Sequence, residues 1–143
     1  MEKRGMKGAG RDWVRNLGRV YKSGRDAVFV EAKRSGFSKA IKAIHEKTSR
    51  ISTITGYDSG KDIELIYHFP VGRRLVNLKV RIKRGKPRIE TITKLFPGAE
   101  LFERELHDLV GVHVAGHPNL ERILLDATSP GAPLRKRVGR KAL

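Results

Sequence analysis

The chain has 143 residues, 38% of them hydrophobic and 32% charged, which is enough for one domain with a single modest core. It has no cysteine, which excludes disulfides, cysteine-ligated iron–sulfur clusters and thiolate zinc sites, and no apolar run approaches the roughly 20 residues that a transmembrane helix needs. Lys and Arg number 31 against 15 Asp and Glu, and the net charge of +16 indicates a polyanionic partner: nucleic acid, anionic lipid or an acidic protein surface.

The first part of the chain alternates between helical and β-branched patterns, after a glycine- and lysine-rich leader. Apolar residues at positions 13, 14, 17, 20 and 21 recur at helical spacing, whereas the run RISTIT is typical of a strand. The patterns predict a helix over 11–22, a strand over 27–32, an amphipathic helix from Phe37 to about Thr48, and a strand over 50–55 closed by Gly56.

Two segments of alternating polarity, 62–69 and 74–84, predict a β-hairpin. A register that pairs Phe69 with Arg74 would place acidic side chains of the first strand opposite basic side chains of the second, at about 0.2–1 kcal/mol per pair. The apolar side chains expected to face the core are Ile63, Leu65, Tyr67, Phe69, Val76, Leu78, Val80 and Ile82. The opposite face of the second strand is basic, and we interpret it as a solvated face, with a binding surface as the alternative; its residues are Asn77, Lys79, Arg81 and Lys83.

The last third of the chain opens with a short predicted strand over 89–95 and continues into a helix over 99–110 that ends at Gly111. A small strand over 112–115 and a Gly-His-Pro turn follow. Beyond them, three Pro and Gly residues between positions 130 and 133 favour extended chain.

These elements predict an α+β fold, in which helices cover one face of an antiparallel or mixed sheet and an extended basic tail follows. We expect a flexible basic leader over 1–10, a single α+β domain over 11–125 and a Pro-, Gly- and Arg-rich tail over 126–143. Because the tail has no evident partner within the chain, we expect it to dock on another protein.

Four potential metal ligands lie within eleven positions: His107, Asp108, His113 and His117. The first two are adjacent on the predicted helix and therefore point about 100° apart, while the other two follow the end of that helix. No HExxH-type spacing is present. We interpret these histidines as structural residues rather than as ligands of zinc or iron.

Three carboxylates, Glu103, Glu105 and Asp108, lie close together on the same predicted helix. An acid–base pair would require one of them to sit in an apolar pocket with a raised pKa. Since Arg104 and Arg122 are available as partners, we favour ion pairs that hold the following loop or the tail in place.

The strong positive charge keeps a second class of function open, a basic RNA- or ribosome-associated binding protein. Sheet-based RNA readers stack bases on exposed aromatic side chains, but Tyr67 and Phe69 fall on the predicted core side of their strand. No RNA-binding signature motif is present. Non-specific phosphate binding, which needs only charge, remains as the alternative.

An ordered motif runs through the last third of the chain. Its residues are Glu103-Arg104-Glu105, Asp108-Leu109, Gly111, Gly116-His117-Pro118, Leu120, Arg122-Ile123-Leu124-Leu125 and Pro133-Leu134-Arg135-Lys136. In order and spacing it resembles the signature region of the C subunit of NADH:quinone oxidoreductases. That family also supplies a matching component to membrane-bound, energy-converting nickel–iron hydrogenases and related complexes.

The resemblance implies a non-catalytic subunit of the peripheral arm of such a complex, with no cofactor and no catalytic residue in this chain. Iron–sulfur clusters, and a nickel–iron centre in the hydrogenase type, would lie in partner subunits. Those partners are a NiFe-hydrogenase-like large subunit, iron–sulfur subunits and membrane subunits, which would hold the chain at the cytoplasmic face of the cell membrane. The implied partner-binding residues are Glu103, Arg104, Glu105, Asp108, Gly111, Gly116, His117, Pro118, Arg122, Pro133, Leu134, Arg135 and Lys136.

The motif departs from the family pattern at a few positions. His107 and Val110 stand where the family usually has aromatic residues, and Arg137 stands where an acidic residue usually follows. The chain also lacks glutamine as well as cysteine, a depletion typical of hyperthermophile proteins. These features favour an archaeal hydrogenase-type or other ferredoxin-linked complex over a bacterial quinone reductase.

Overall fold

The computed structural model describes residues 13–120 and Arg135. Residues 13–15 are helical, and residues 34–36 form a 3-10 turn. The remaining elements, in chain order, are β1 Arg19–Ser23, β2 Ala27–Ala32, α1 Phe37–His45, β3 Thr53–Asp58, β4 Asp62–Val71, β5 Arg74–Lys83, β6 Arg88–Glu90, α2 Ala99–Val110 and β7 His113–Ala115. The predicted leader and the predicted tail, apart from Arg135, lie outside the described residues.

A five-stranded sheet in the order β1-β2-β5-β4-β3 forms the centre of the fold. β2 runs parallel to β5, while the other neighbouring strands pair antiparallel, so the sheet is mixed. β6 and β7 pair in parallel as a separate two-stranded sheet. The prediction of an α+β fold with a mixed sheet is confirmed.

Both α-helices lie on the same face of the sheet. Phe37 of α1 packs its ring 5.1 Å from the ring of Tyr67, and Leu106 and Val110 of α2 lie over β3 at Gly56. The alternating apolar side chains predicted to face the core are all buried: Ile63, Leu65, Tyr67, Phe69, Val76, Leu78, Val80 and Ile82. The apolar side chains that alternate along β4 and β5 form one hydrophobic face, and the burial of this face under the helices positions them, as the sequence predicts.

The predicted helix over 11–22 is wrong in its second half. The helical residues 13–15 are followed by a turn and then by β1, which pairs antiparallel with β2. A Cβ built on Gly18 would lie 2.1 Å from the carbonyl oxygen of Glu31, so the backbone approaches β2 there as only glycine allows. Strand pairing, which the local spacing of apolar residues does not encode, overrides the helical pattern.

Two predicted strands have different bounds in the structure. Gly56 does not close β3 but lies inside it, because the close packing of α2 leaves no room for a side chain: a Cβ there would be 2.7 Å from Leu106 Cδ2. The strand predicted over 89–95 is confined to β6, since the chain turns after it, with Phe96 N donating to Ile92 O at 2.8 Å.

The hairpin pairs Phe69 with Val76 rather than with Arg74, so the predicted register is wrong by two positions. The turn is tighter than expected because Gly72 adopts φ 61°, which allows a two-residue connection. A shift of two residues leaves every side chain on its predicted face.

The outer sheet face is not the free basic row that the sequence suggests. Asn77 is buried, and its side-chain amide donates to Val28 O at 3.2 Å. The cations beside it are paired: Lys79 Nζ lies 3.4 Å from a Glu64 oxygen, and Arg81 Nε lies 3.2 Å from a Glu31 oxygen. Lys83 is exposed and forms no ion pair with the described residues, so this face agrees better with the interpretation as an ordinary solvated face than with a binding surface.

Candidate partner-binding site

The motif begins on α2, whose boundaries match the prediction. The helix spans Ala99–Val110 and ends at Gly111, which adopts φ 78° and donates its N–H to His107 O at 3.2 Å. One side of α2 packs against the sheet, while Leu101 on another side is 55% exposed. The helix thus carries both buried and exposed positions.

Glu103 is a fully buried carboxylate that joins α2 to the segment after β6. Thr91 Oγ1 donates to Glu103 Oε1 at 2.5 Å, and the backbone N–H of Ile92 donates to Oε2 at 2.8 Å. Burial raises the pKa of Glu103, and the hydrogen bonds from Thr91 and Ile92 oppose that rise. The side chain is therefore occupied within the chain.

His117 fastens the Gly-His-Pro turn to the start of α2. The N–H of Asn119 donates to Nδ1 at 3.0 Å, so Nδ1 carries no proton and Nε2 donates to the Glu100 carbonyl, also at 3.0 Å. Nε2 also lies 3.8 Å from Glu103 Oε1, with both side chains fully buried. Because this hydrogen-bond pattern fixes a neutral ring, the contact with Glu103 is polar rather than ionic.

Arg135 folds back onto the domain. Its guanidinium lies 3.3 Å from Asp58 Oδ2 and donates to the carbonyls of Arg84 and Val110, at 2.9 and 3.3 Å. Arg84 approaches the same carboxylate from another side, with Nε 2.9 Å from Asp58 Oδ1. The premise that the tail lacks a partner within the chain is thus wrong at Arg135, which closes the carboxyl end of α2.

The predicted partner-binding residues divide into three groups. Glu103, Asp108 and the His117 ring are buried, and Arg135 is held by the domain. Arg104, Glu105 and Gly111 are half-buried, and Gly116 and Pro118 are exposed. The residues outside the described part of the chain are Arg122, Pro133, Leu134 and Lys136.

Three residues of this cluster, Asp58, Arg84 and Thr91, were not selected from the sequence. Each lies far from its partner along the chain: Arg84 is 51 positions from Arg135. No short-range pattern marks such residues, and only the fold brings them to α2.

The histidines considered as metal ligands have separate environments. His107 Nδ1 bonds to Val112 O at 3.0 Å, His117 is bonded as above, and His113 lies exposed in β7. Within residues 13–120 and Arg135, no three His, Asp or Glu side chains form a group that could hold a metal ion. In the same part of the chain, no helix is long and apolar enough to cross a bilayer.

A mixed sheet with two helices on one face, and a turn pinned by buried side chains, define an α+β module. Four motif residues are buried in it or held by it: Glu103, Asp108, His117 and Arg135. The family model described as respiratory-chain NADH dehydrogenase, 30 Kd subunit, matches residues 30–142. The chain belongs to this family, and the resemblance seen in the motif is confirmed.

Curated relatives support this assignment. The chain is 40% identical to the C subunit of NADH-quinone oxidoreductase of Moorella thermoacetica over 86 residues, which are 59% of this chain and 58% of that protein. It is 37% identical over 95 residues to the C/D subunit of Erwinia tasmaniensis, covering 65% of this chain and 16% of that protein. The chain thus spans less than two thirds of the length of these relatives.

Two solved structures share the fold. One belongs to the membrane-bound sulfane sulfur reductase, an archaeal respiratory membrane complex, with a TM-score of 0.75 at 20% identity over 85% of this chain and 78% of that one. The other is a trypsin-resistant fragment of Nqo5, with a TM-score of 0.67 at 19% identity over 80% of this chain and 98% of that one.

Proposed function

We propose that this chain is a non-catalytic peripheral subunit of a membrane-associated, complex I-like oxidoreductase, in which it stabilises a NiFe-hydrogenase-like large subunit. The family match over residues 30–142 carries this proposal. Relatives named as C/D subunits join a C subunit and a D subunit in one polypeptide. This fusion supports direct contact between the present chain and the large subunit. The chain would reach the cytoplasmic face of the membrane through such partners, and iron–sulfur clusters would lie in those partners.

Buried and exposed motif residues have different roles in this proposal. The buried residues hold α2, the turn and Arg135 in place, so they act on a partner only by shaping the surface. The exposed or half-buried residues Leu101, Glu105 and Pro118 are available for contact. Leu101 is an exposed large apolar side chain one helical turn from Glu105, and an apolar centre with polar groups at its rim is the common pattern of protein interfaces. We therefore place the docking surface on the outer side of α2 and on the Gly-His-Pro turn.

The finer assignment is an archaeal energy-converting hydrogenase or another ferredoxin-linked complex. The absence of glutamine and cysteine from a chain with 32% charged residues supports a hot-environment host. The departures from the family motif at His107, Val110 and Arg137 support a divergent branch.

A native pull-down tests the proposal. The tagged chain is recovered from detergent-solubilised membranes with nuclease treatment, and co-purifying proteins are identified by mass spectrometry. We expect a NiFe-hydrogenase-like large subunit, iron–sulfur subunits and membrane subunits, which would also identify the host complex. Recovery of ribosomal proteins or RNA that disappears with nuclease would contradict the proposal and favour the RNA-binding alternative.

A matched pair of variants locates the surface. Glu105→Lys reverses a half-buried charge on α2, whereas Glu46→Lys reverses an exposed charge directly after α1. We expect Glu105→Lys to reduce recovery of the large subunit while Glu46→Lys leaves it unchanged. Equal recovery with both variants would contradict this placement. Truncating the tail is a poorer test, because it also removes the contacts of Arg135 within the domain.

A further inference from the structure

A groove of about 980 Å³ lies at the end of the sheet opposite to the Asp58–Arg135 ion pair. Arg74 at the start of β5 lines the groove, whereas Arg84, which binds Asp58, follows the end of the same strand. Ten residues of extended strand separate the two arginines by about 33 Å. The groove therefore belongs neither to the motif cluster nor to the docking surface proposed on α2.

The groove combines an apolar lining with arginines. Its apolar lining residues are Val14, Val20 and Val28, and its arginines are Arg15, Arg25 and Arg74. It also borders β1, the strand at one edge of the sheet. An extended segment entering the groove would run beside backbone groups of an edge strand, which often accept an added strand.

The three arginines are not neutralised within the described part of the chain. Arg15 and Arg25 are exposed and form no ion pair there, and neither does Asp26, the carboxylate next to Arg25. Arg74 donates only a long hydrogen bond of 3.5 Å to Gly24 O, and its buried Nε has no hydrogen-bond partner among the described residues. Buried donors are nearly always paired, so this guanidinium is short of an acceptor.

We propose that this groove docks an acidic, aliphatic segment of a neighbouring subunit. Guanidinium groups bind carboxylates in a planar, two-bond geometry. The half-buried Val20 would contact an aliphatic side chain between the carboxylates, since Val14 and Val28 are buried in the core. A nucleic acid fits less well, because no aromatic residue is among those that line the groove in the described chain. The leader over 1–10 is itself basic, so its charge does not suit the groove.

This inference rests on the proposed function, because the segment would belong to another protein of the same complex. Binding of a fluorescein-labelled peptide of alternating glutamate and leucine to the full-length purified chain tests it, with fluorescence anisotropy as the measurement. We expect saturable binding that Arg25→Gln and Arg74→Gln each weaken about ten-fold, the effect of losing one charge-assisted hydrogen bond. Arg73→Gln, which removes an exposed charge outside the groove lining, is the matched control and should leave binding unchanged.

Arg25 keeps the test valid if Arg74→Gln impairs folding, because Arg25 is exposed and forms no ion pair with the described residues. Three results would overturn the proposal: no saturable binding, equal weakening by Arg73→Gln, or equal binding of a peptide with serine in place of leucine. Tighter binding of a single-stranded oligonucleotide or of pyrophosphate would also overturn it. If the peptide does not bind but the pull-down recovers the expected subunits, only the proposed role of the groove is rejected. If the peptide binds but the pull-down recovers none of those subunits, the proposed membership of the complex is rejected.

Discussion

Removal of the Glu103 side chain should destabilise the domain by about 2–4 kcal/mol. Glu103→Ala leaves the buried N–H of Ile92 without its acceptor, which costs about 1–3 kcal/mol. It also removes the hydrogen bond from Thr91 and leaves a small cavity beneath α2. The matched control is Glu105→Ala on the same helix, which is only half-buried and should change stability by less than about 0.5 kcal/mol.

Glu103→Gln removes the charge: the amide oxygen can still accept from the Ile92 N–H, while the amide NH2 would donate to Thr91 Oγ1, which reverses the direction of that hydrogen bond. Burial raises the pKa of Glu103 above its ordinary 4.5, so the folded chain holds this proton more tightly than the unfolded chain. Its contribution to stability is therefore greatest below pH 4.5 and falls as pH rises through the raised pKa. The glutamine variant lacks this loss and should gain stability relative to the parent across that range.

Urea unfolding followed by far-UV circular dichroism measures both effects, with parent and variants compared from about pH 4 to about pH 8. Other carboxylates, such as Glu90, titrate in both chains and cancel in the difference. A glutamine variant that loses stability relative to the parent as pH rises would refute the reasoning. So would an alanine variant as stable as its Glu105→Ala control.

Three further predictions concern packing and burial. Arg135→Ala should lower the free energy of unfolding in urea by about 1–3 kcal/mol, because it removes an ion pair and two hydrogen bonds to carbonyls. The control Arg50→Ala, at an exposed position, should lower it by less than about 0.5 kcal/mol. Equal losses of stability in the two variants would contradict the contacts of Arg135. Gly56→Ala would place a methyl group 2.7 Å from a leucine of α2 and should lower the free energy of unfolding by about 1–3 kcal/mol. Gly85→Ala, with open space around it, is the control and should leave the melting temperature unchanged. An unchanged melting temperature for Gly56→Ala would show that α2 does not pack there. Burial raises the pKa of Tyr67 well above 10.0, so ultraviolet titration should leave one of the three tyrosines un-ionised until alkaline unfolding, and early ionisation of all three would contradict its burial.

Local periodicity accounts for the parts of the fold that the sequence predicts well. The alternation in β4 and β5 assigned every core side chain of the hairpin, even though the register was off by two positions. The bounds of α2 were also predicted, because its apolar spacing ends at a glycine that stops the helix. In the hairpin and in α2, the pattern that predicts the structure extends over only a few neighbouring residues.

The family and the candidate residues also came from the sequence, and the structure adds contacts within the chain for three of those residues. The motif marked Glu103, His117 and Arg135 as partner-binding residues, whereas the structure holds all three by contacts within the chain. The spacing of a motif identifies a family without distinguishing a residue that touches a partner from one that shapes the surface. Which of the exposed motif residues contact a partner stays a prediction.

Residue patterns alone were enough to define the composition class, the hairpin faces, the helix after Pro97 and the family. The packed fold was needed to establish that residues 19–23 form an edge strand, that Gly56 lies under α2 and that Arg135 meets Asp58. Each of these depends on two segments far apart in sequence arriving at one place. Such long-range pairing is selected by the free energy of the whole packed domain, so no local pattern of residues can specify it.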